Sequence, residues 1–349
     1  MIMRTMIGLV NYASEPYAVE LRDVLVPEIG EDDILLSVRS VGICGSDLHQ
    51  YSGKQSWAGN YPVVLGHEFA GVVAKTGARV RGFKEGDRVV SETAAVLPSD
   101  SAFIRQGLYN LDPKRLGFGY GVNGAMAEFV KVPARCLHRV PDTLGLEKAA
   151  LTEPCCVAYN AVCGNSRLRP GDTVAIIGPG PIGLLCALVA KLAGAGHLIV
   201  IGIPADAHRL DVARQIGAET TLGAKSEDVV EWVKNFGDGY GVDLVIDAAG
   251  VSASLKVALD IVRPAGQITK VGWGPQPLNF SLDQLVQKAV TLQGSYSHNW
   301  AIWEKVISLL ASGKLDLGHI LNRISPLSDW HQAFEEMRAG IIVKAVLQP

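Results

Sequence analysis

The sequence has little charge of either sign, few cysteines and no long hydrophobic run. Charged residues make up 19% of the 349 residues and the formal net charge is −3, so the chain lacks the basic surface that binds nucleic acid or anionic lipid. No apolar run reaches the ~18 residues of a membrane span. The N-terminus lacks the long apolar core and the small-residue cleavage site of a signal peptide. We therefore expect a cytoplasmic protein without nucleic-acid or membrane partners.

The six cysteines are sparse and irregularly spaced. Such spacing favours reduced thiols over a disulfide framework, so at least one thiol is expected to serve another purpose. Hydrophobic residues account for 48% of the chain, and single cores rarely grow past about 250 residues. Two domains are therefore expected.

Two patterns of apolar residues divide the chain. From about residue 20 to 140, short β-type runs are cut by Gly, Pro and Asp, which indicates a compact barrel-like β domain with long loops. Beyond about residue 295, one amphipathic helix and a second helix over Ser328–Arg338 could close back onto this domain. The strands predicted in the β domain are Ile34–Val41, Val63–Val73, Arg88–Ser91 and Ala127–Val132.

From Asp172, short apolar strands alternate with helical stretches, which favours a parallel, doubly wound sheet. The predicted fold class is therefore α/β. The predicted elements are strand Thr173–Ile177, helix Ile182–Leu192, strand His197–Ile201, helix Ala207–Ile216 and strand Leu244–Ala248.

A glycine-rich motif follows the first of these strands and opens a helix. Gly178 permits a tight turn, Gly180 lets the backbone approach a pyrophosphate, and Gly183 allows the helix to pack on the strand. The helix N-terminus adds free N–H donors and a positive dipole end. The motif predicts a dinucleotide site. Its residues are Gly178, Pro179, Gly180, Pro181, Ile182 and Gly183.

The residues at the end of the second strand do not decide between NAD and NADP. Such strands normally end in an acid that holds the ribose hydroxyls of NAD, but Gly202 stands there. Asp206 could reach back from the following loop, whereas His208 and Arg209 could bind the 2′-phosphate of NADP. Arg209 could equally be a solvated helix residue. Both coenzymes remain open.

A candidate metal site is spread over three segments. Cys44 lies in a tight, Gly-flanked loop, His67 and Glu68 follow twenty-odd residues later, and Glu153 supplies a further acid. Soft sulfur, imidazole and carboxylate suit zinc, and catalytic zinc uses three protein ligands and leaves one position open. Taken singly, Cys44 would indicate a buried thiol and His67 a core histidine. Their joint occurrence favours the metal.

These motifs together resemble the zinc-containing medium-chain dehydrogenase/reductases, in particular the sorbitol and threonine dehydrogenase-like branch. The resemblance runs nearly end to end. It implies a GroES-like β-barrel-type catalytic domain over 1–155 and 296–349, and a Rossmann dinucleotide-binding domain over 156–295. Besides the glycine-rich motif, its carriers are Cys44-Gly45-Ser46-Asp47-Leu48-His49, Gly66-His67-Glu68, Gly86-Asp87-Arg88-Val89, Glu153-Pro154 and Asp247-Ala248-Ala249-Gly250.

The resemblance implies a catalytic zinc held by Cys44 and His67, with Glu68 and Glu153 as the carboxylates for the remaining positions. Which carboxylate is bound directly stays open. Many relatives carry a second, structural zinc on a four-cysteine lobe, and this chain lacks those cysteines. We therefore predict one zinc per chain. The aligned positions are Pro98, Ser101, Ile104 and Asp112.

The implied reaction moves a hydride between a secondary alcohol or polyol and NAD or NADP, with zinc as a Lewis acid. Ser46 and His49 suit a relay that carries the departing proton to water. Ser46 could instead stabilise a turn, and His49 could lie on the surface or contact substrate. Residues that could line the substrate site, or simply pack in the cores, are Tyr51, Trp57, Trp273, Tyr296 and His298.

Two other functions compete with this one. A zinc-free quinone or enoyl-type reductase of the same superfamily would not need Cys44, His67 and Glu153. A non-catalytic dinucleotide-binding regulatory protein would be favoured by loss of a ligand or of the glycine motif, and neither is lost. The resemblance further implies a homo-oligomer, a dimer or tetramer, paired edge to edge between Gly272 and Gly294.

Overall fold

The computed structural model describes residues 4–223, 225–274 and 276–349. The backbone divides into two units. The first comprises Met1–Pro154, His298–Leu317 and Leu321–Pro349, and the second comprises Cys155–Ser297 with Gly318–Ile320.

The strands of the described residues are β1 (Thr5–Asn11), β2 (Val19–Leu25), β3 (Asp33–Gly42), β4 (Val63–Val64), β5 (Glu68–Thr76), β6 (Arg88–Ser91), β7 (Phe129–Pro133), β8 (Leu137–Arg139), β9 (Thr173–Ile177), β10 (His197–Gly202), β11 (Thr220–Gly223), β12 (Val242–Asp247), β13 (Val262–Lys270), β14 (Thr291–Gly294), β15 (Leu321–Pro326) and β16 (Lys344–Gln348).

The helices are α1 (Gly45–Tyr51), α2 (Ala102–Arg105), α3 (Leu146–Ala149), α4 (Thr152–Tyr159), α5 (Pro181–Leu192), α6 (Ala207–Gln215), α7 (Ser226–Lys234), α8 (Ser252–Ile261), α9 (Asp283–Gln287), α10 (Trp300–Ala311) and α11 (Trp330–Arg338). Among the described residues, none of these helices is long and apolar enough to cross a membrane.

The first unit is built on two β-sheets. One has the strand order β2-β1-β4, and the other runs β15-β16-β3-β5-β6-β8, with β7 also paired to β3. Ile34, Leu36 and Val38 alternate along β3 and are at most 2% exposed, as expected of one strand face that packs into a core. On α10, Trp303, Val306, Ile307 and Leu310 are buried with the spacing of an amphipathic helix.

The predicted strand Val63–Val73 is wrong as a single element, because β4 ends at Val64 and β5 begins at Glu68. Gly66 between them has φ +94°, a left-handed conformation that glycine adopts without steric cost. A Cβ at Gly66 would lie 2.7 Å from Met126 Cγ. The chain therefore turns at Gly66, and His67 lies in the turn immediately before β5.

The second unit contains the predicted parallel, doubly wound sheet. All neighbours in the order β11-β10-β9-β12-β13-β14 are parallel. Counted from β9, this is the order 3-2-1-4-5-6 of a Rossmann domain. Strand Thr173–Ile177 lies where the pattern predicted it. Leu198 to Ile201 of β10 are all buried, as expected for a strand covered on both faces.

Candidate active site

Asp47 ties together the two loops that carry the candidate metal ligands. Its buried carboxylate accepts a hydrogen bond from the Cys44 backbone N–H at 2.8 Å and another from the Gly66 backbone N–H. Burial raises the pKa of Asp47, although His67 and these donors act in the opposite direction. The sequence motif contains Asp47, but nothing in the local pattern identified this role.

Cys44, His67 and Glu68 come together into one cluster. Their ligand atoms all lie within 4.8 Å of one another. Glu68 is fully buried and pairs with Gly42 of β3. A Cβ at Gly42 would lie 2.2 Å from Glu68 Oε2, so glycine is what leaves room for the carboxylate. A thiol, an imidazole and a carboxylate at this separation fit the donor set of zinc.

The groups around His67 favour a positive charge on its imidazole. His67 Nδ1 lies 3.7 Å from Asp47 Oδ1, and its Nε2 lies 3.4 Å from Ser46 Oγ. Burial lowers the pKa of His67, but the contacts with Asp47 and Cys44 more than offset this and hold the pKa well above the ordinary value. A bound cation would satisfy the same charge.

A buried lysine from the far end of the chain reaches the cluster. Lys344 Nζ lies 2.7 Å from each carboxylate oxygen of Glu68, with hydrogen-bond geometry to Oε1 only, and donates to Ile43 O at 2.7 Å. Burial raises the pKa of Glu68, and Lys344 lowers it in part. Sequence reasoning missed Lys344. Its signal in the sequence is a charge between apolar residues, at the first position of β16.

Glu153 belongs to a second set of contacts. Its Oε1 accepts a hydrogen bond from His298 Nε2 at 3.0 Å, and His298 Nδ1 accepts one from Trp303 Nε1 at 2.8 Å. An indole N–H can only donate, so Nδ1 is the acceptor and the His298 proton resides on Nε2. Burial raises the pKa of Glu153, but the His298 contact and nearby positive charges bring it below the ordinary value.

The two residues predicted to relay the proton lie on helix α1. Ser46 faces His67 Nε2, as described above, whereas His49 is exposed. Partial desolvation by the surrounding residues and the charge of Lys54 lower the pKa of His49. No hydrogen bond joins Ser46 to His49 among the described contacts, so the relay stays a prediction.

Two of the other residues considered for a substrate site are buried. Tyr51 is buried in the core, where its ring contacts Tyr17, Trp330 and Phe334 edge to face. His298 is buried and faces Glu153.

The glycine-rich motif forms a tight turn between β9 and α5. Gly178 has φ +96°, and a Cβ there would lie 2.8 Å from Ala249 N. A Cβ at Gly183 would lie 1.9 Å from Gly178 O, so only glycine lets the helix approach this closely. Around Gly180, a Cβ would meet no described atom within 4 Å. Gly180 caps α5 and Pro181 is its first residue, which leaves helix N–H groups free for an anion.

The lobe aligned with the structural-zinc cysteines is closed by hydrogen bonds. Ser101 Oγ donates to the Asp112 carboxylate and accepts from Phe103 N at 3.1 Å. Asp112 Oδ1 also accepts from Lys114 N at 2.8 Å. The Ser101 contact lowers the pKa of Asp112. Two of the four aligned positions are thus joined directly.

Comparison with known proteins matches both units. Residues 30–142 match the alcohol dehydrogenase GroES-like domain and residues 181–312 the zinc-binding dehydrogenase domain. The chain is 36% identical to D-arabitol-phosphate dehydrogenase of Enterococcus avium over 99% of this chain and 98% of that one. It is 35% identical to sorbitol dehydrogenase of Halalkalibacterium halodurans over 93% of each.

Among solved structures, the fold is similar to one described as a zinc-binding dehydrogenase of Sinorhizobium meliloti 1021 bound to NADP. The TM-score is 0.91 at 28% identity, covering 99% of this chain and 100% of that chain. The predicted fold class, a GroES-like domain with a parallel-sheet Rossmann domain, is confirmed.

Proposed function

Because the chain belongs to the zinc-type alcohol dehydrogenases of the medium-chain family, and is therefore an oxidoreductase, we propose that it is a zinc-dependent polyol dehydrogenase. It transfers a hydride between a secondary alcohol or polyol carbon and NAD or NADP and gives the ketone. The grouping of Cys44, His67 and Glu68 carries this proposal. Two relatives named for sugar alcohols support the substrate class.

Cys44, His67 and Glu68 would hold the zinc. When bound, zinc supplies a Lewis acid that makes an alcohol hydroxyl more acidic. Glu68 is the better candidate for the direct carboxylate ligand, because it belongs to the cluster whereas Glu153 accepts a hydrogen bond from His298. Glu153 then stands beside the site as an additional acid that adds to its negative charge.

The surrounding residues orient the ligands. Asp47 holds the Cys44 loop and faces His67 Nδ1, so the opposite nitrogen is directed towards the cluster, as carboxylates beside metal-bound histidines commonly do. Ser46 lies within reach of that nitrogen. Ser46 and His49, three residues apart on one face of α1, are the proposed route for the proton that leaves the alcohol.

One zinc per chain is proposed. The lobe over residues 98–112 offers no tetrathiolate. Its Ser101–Asp112 hydrogen bond supports a lobe that is closed without a metal.

The dinucleotide is proposed to bind at the glycine-rich motif, with its pyrophosphate at the N-terminus of α5. The residues assigned to it are Gly178, Pro179, Gly180, Pro181, Ile182 and Gly183 of the motif, with Asp206 and Arg209 beyond β10. The Sinorhizobium relative was solved with NADP. The partners are a small alcohol or polyol and a second copy of the chain.

The test is to purify the protein with its metal and to follow NAD and NADP reduction at 340 nm. The panel comprises sugar alcohols and their phosphates, sugar acids, inositols, vicinal diols and threonine. Each assay is run with 1,10-phenanthroline and with the non-chelating 1,7 isomer, and total zinc per chain is measured. We expect one zinc per chain and turnover that only the chelating isomer abolishes.

Cys44→Ser should lose both zinc and turnover, while Cys163→Ser, which changes an exposed thiol, should keep both. Turnover that resists the chelator would instead favour the zinc-free reductase. Dinucleotide binding without turnover across the panel would favour the regulatory protein. Zinc near two equivalents would contradict the single-metal assignment.

A further inference from the structure

The last residue of β10 is a glycine instead of an acid, and the carboxylate of the nearby Asp206 lies at this strand end. The strand ends at Gly202, where a coenzyme-binding strand normally carries its acid. A Cβ built on Gly202 would lie 3.0 Å from Asp206 Cβ and 3.1 Å from Asp206 Oδ2. The Asp206 carboxylate therefore occupies the space into which a side chain at position 202 would project.

The turn after β10 holds the Asp206 side chain there. Oδ2 accepts a hydrogen bond from the Ile203 N–H at 3.1 Å, and the Asp206 N–H donates to Ile203 O at 2.9 Å. Pro204–Asp206 forms a short 3₁₀ turn. The acid thus reaches back over the strand end from four positions further along the chain.

The same place borders the glycine-rich motif. A Cβ on Gly202 would lie 2.9 Å from Pro179 Cγ, and Gly178 N donates to Ile201 O at 2.8 Å. β9 and β10 are parallel neighbours, so their carboxyl ends meet at one edge of the sheet. In a domain of this kind, the acid at the end of the second strand receives the adenosine ribose. Asp206 stands at that position.

The charge at this position distinguishes the two coenzymes. A carboxylate accepts hydrogen bonds from the ribose hydroxyls of NAD, whereas it repels the 2′-phosphate of NADP. Arg209 Nη1 lies 3.6 Å from Asp206 Oδ1, and each side chain is 20% exposed. This ion pair partly neutralises both charges, so Arg209 offers a phosphate less than its full positive charge.

Resting on the dinucleotide site proposed above, we infer that Asp206 replaces the acid absent at Gly202 as the acceptor for the ribose hydroxyls, and that the protein selects NAD over NADP.

The test is the dissociation constants of NADH and NADPH, measured without substrate from the change in nucleotide fluorescence on binding. We expect the wild type to bind NADH at least about tenfold more tightly, since a hydrogen bond to a charged group is worth roughly ten- to a hundredfold in affinity. Asp206→Asn should weaken NADH by that factor and strengthen NADPH. The matched control is Asp211→Asn, an exposed acid on the same helix that pairs with Arg214, which should change neither constant.

A second variant moves the charge instead of removing it. Gly202→Asp combined with Asp206→Gly returns the acid to the strand end and removes the side chain that blocks it, so it should restore the NADH preference. If the melting curve shows that this double variant does not fold, the change in the NADH and NADPH dissociation constants of Asp206→Asn still tests the inference. A wild type that prefers NADPH, or an unchanged ratio in Asp206→Asn, overturns the inference and leaves the dinucleotide site standing. A wild type that binds neither nucleotide overturns the proposed site and the inference with it.

Discussion

At the scale of single residues, the indole N–H of Trp303 determines what His298 can offer to Glu153. Trp303 is buried, and its ring stacks 5.3 Å from that of His138, so its N–H has a fixed direction. Trp303→Phe keeps an aromatic ring in the core, although a smaller one, and allows the His298 proton to move to Nδ1. Because Glu153 neighbours the ligand cluster without belonging to it, we expect zinc affinity to fall by less than the roughly tenfold seen for groups that contact a ligand directly, as measured by chelator competition.

Two further variants at His298 separate hydrogen bonding from packing. His298→Gln places an amide donor near the former Nε2 and should keep most of the affinity, whereas His298→Asn is too short to reach Glu153. Trp300→Phe, an exposed ring on the same helix, is the control. Equal losses in the Gln and Asn variants would contradict the role assigned to the Nε2 proton.

Lys344 carries a prediction about stability. Lys344→Met leaves the fully buried carboxylate of Glu68 without its ammonium, and breaking a buried pair from one side costs about 3–5 kcal/mol. The urea midpoint of the zinc-depleted protein should fall accordingly. Adding Glu68→Gln should recover part of the loss, because the uncompensated charge is removed. Lys314→Met, at an exposed lysine, should stay near the wild type. A similarly small effect of Lys344→Met would show that the pair is not needed.

At the scale of elements, one lysine completes the end of helix α8. Lys288 Nζ donates to the carbonyls of Leu259 at 2.6 Å, Asp260 at 3.1 Å and Val262 at 3.0 Å. The last carbonyls of a helix have no partner within it, and a cation there also complements the helix dipole. Burial lowers the pKa of Lys288, while Asp260 acts in the opposite direction.

Lys288→Met should therefore destabilise the second unit by about 1–2 kcal/mol, since the bonds involve a charged group but the side chain is only half-buried. Hydrogen exchange should show faster opening of α8. The control is Lys256→Met, which removes only a partly exposed pair with Asp260 one helical turn away and should cost at most about 0.5 kcal/mol. Equal effects of the two variants would rule out the capping role.

Local sequence patterns predicted the elements that are determined by contacts between residues close in sequence. Strand β9 and its glycine turn are of this kind, because Gly178 and Gly183 are required by contacts inside one strand–turn–helix segment. The strand Val63–Val73 was wrong because Gly66 interrupts the run, and an isolated glycine between apolar residues does not reveal its left-handed φ.

The residues of the candidate site likewise fall into those that the sequence predicted and those that it did not. Residue type and spacing predicted Cys44, His67 and Glu68 as ligands, and the structure brings them together. Lys344 and the His298–Trp303 pair do not, since they reach the site only through the arrangement of distant strands and helices.

At the scale of the whole molecule, the open edge of the Rossmann sheet predicts self-association. β14 ends the strand order and, among the described residues, pairs only with β13. Its other edge offers unpaired backbone groups, which soluble proteins usually cover or charge. Leu292 of β14 is 38% exposed, so this strand has an exposed apolar side chain as well as an open edge. Pairing of β14 with its copy would satisfy both features.

Light scattering coupled to size exclusion should therefore give a mass of two or four times 37.2 kDa. Leu292→Lys adds to the edge the charge that discourages strand pairing and should shift the protein towards monomer at micromolar concentration. Leu25→Lys, at an exposed leucine of the first unit, should leave the mass unchanged. If the wild type is monomeric at the same concentration, the open edge of β14 does not cause self-association and the prediction is wrong. If Leu292→Lys keeps the oligomer, the interface lies on another surface.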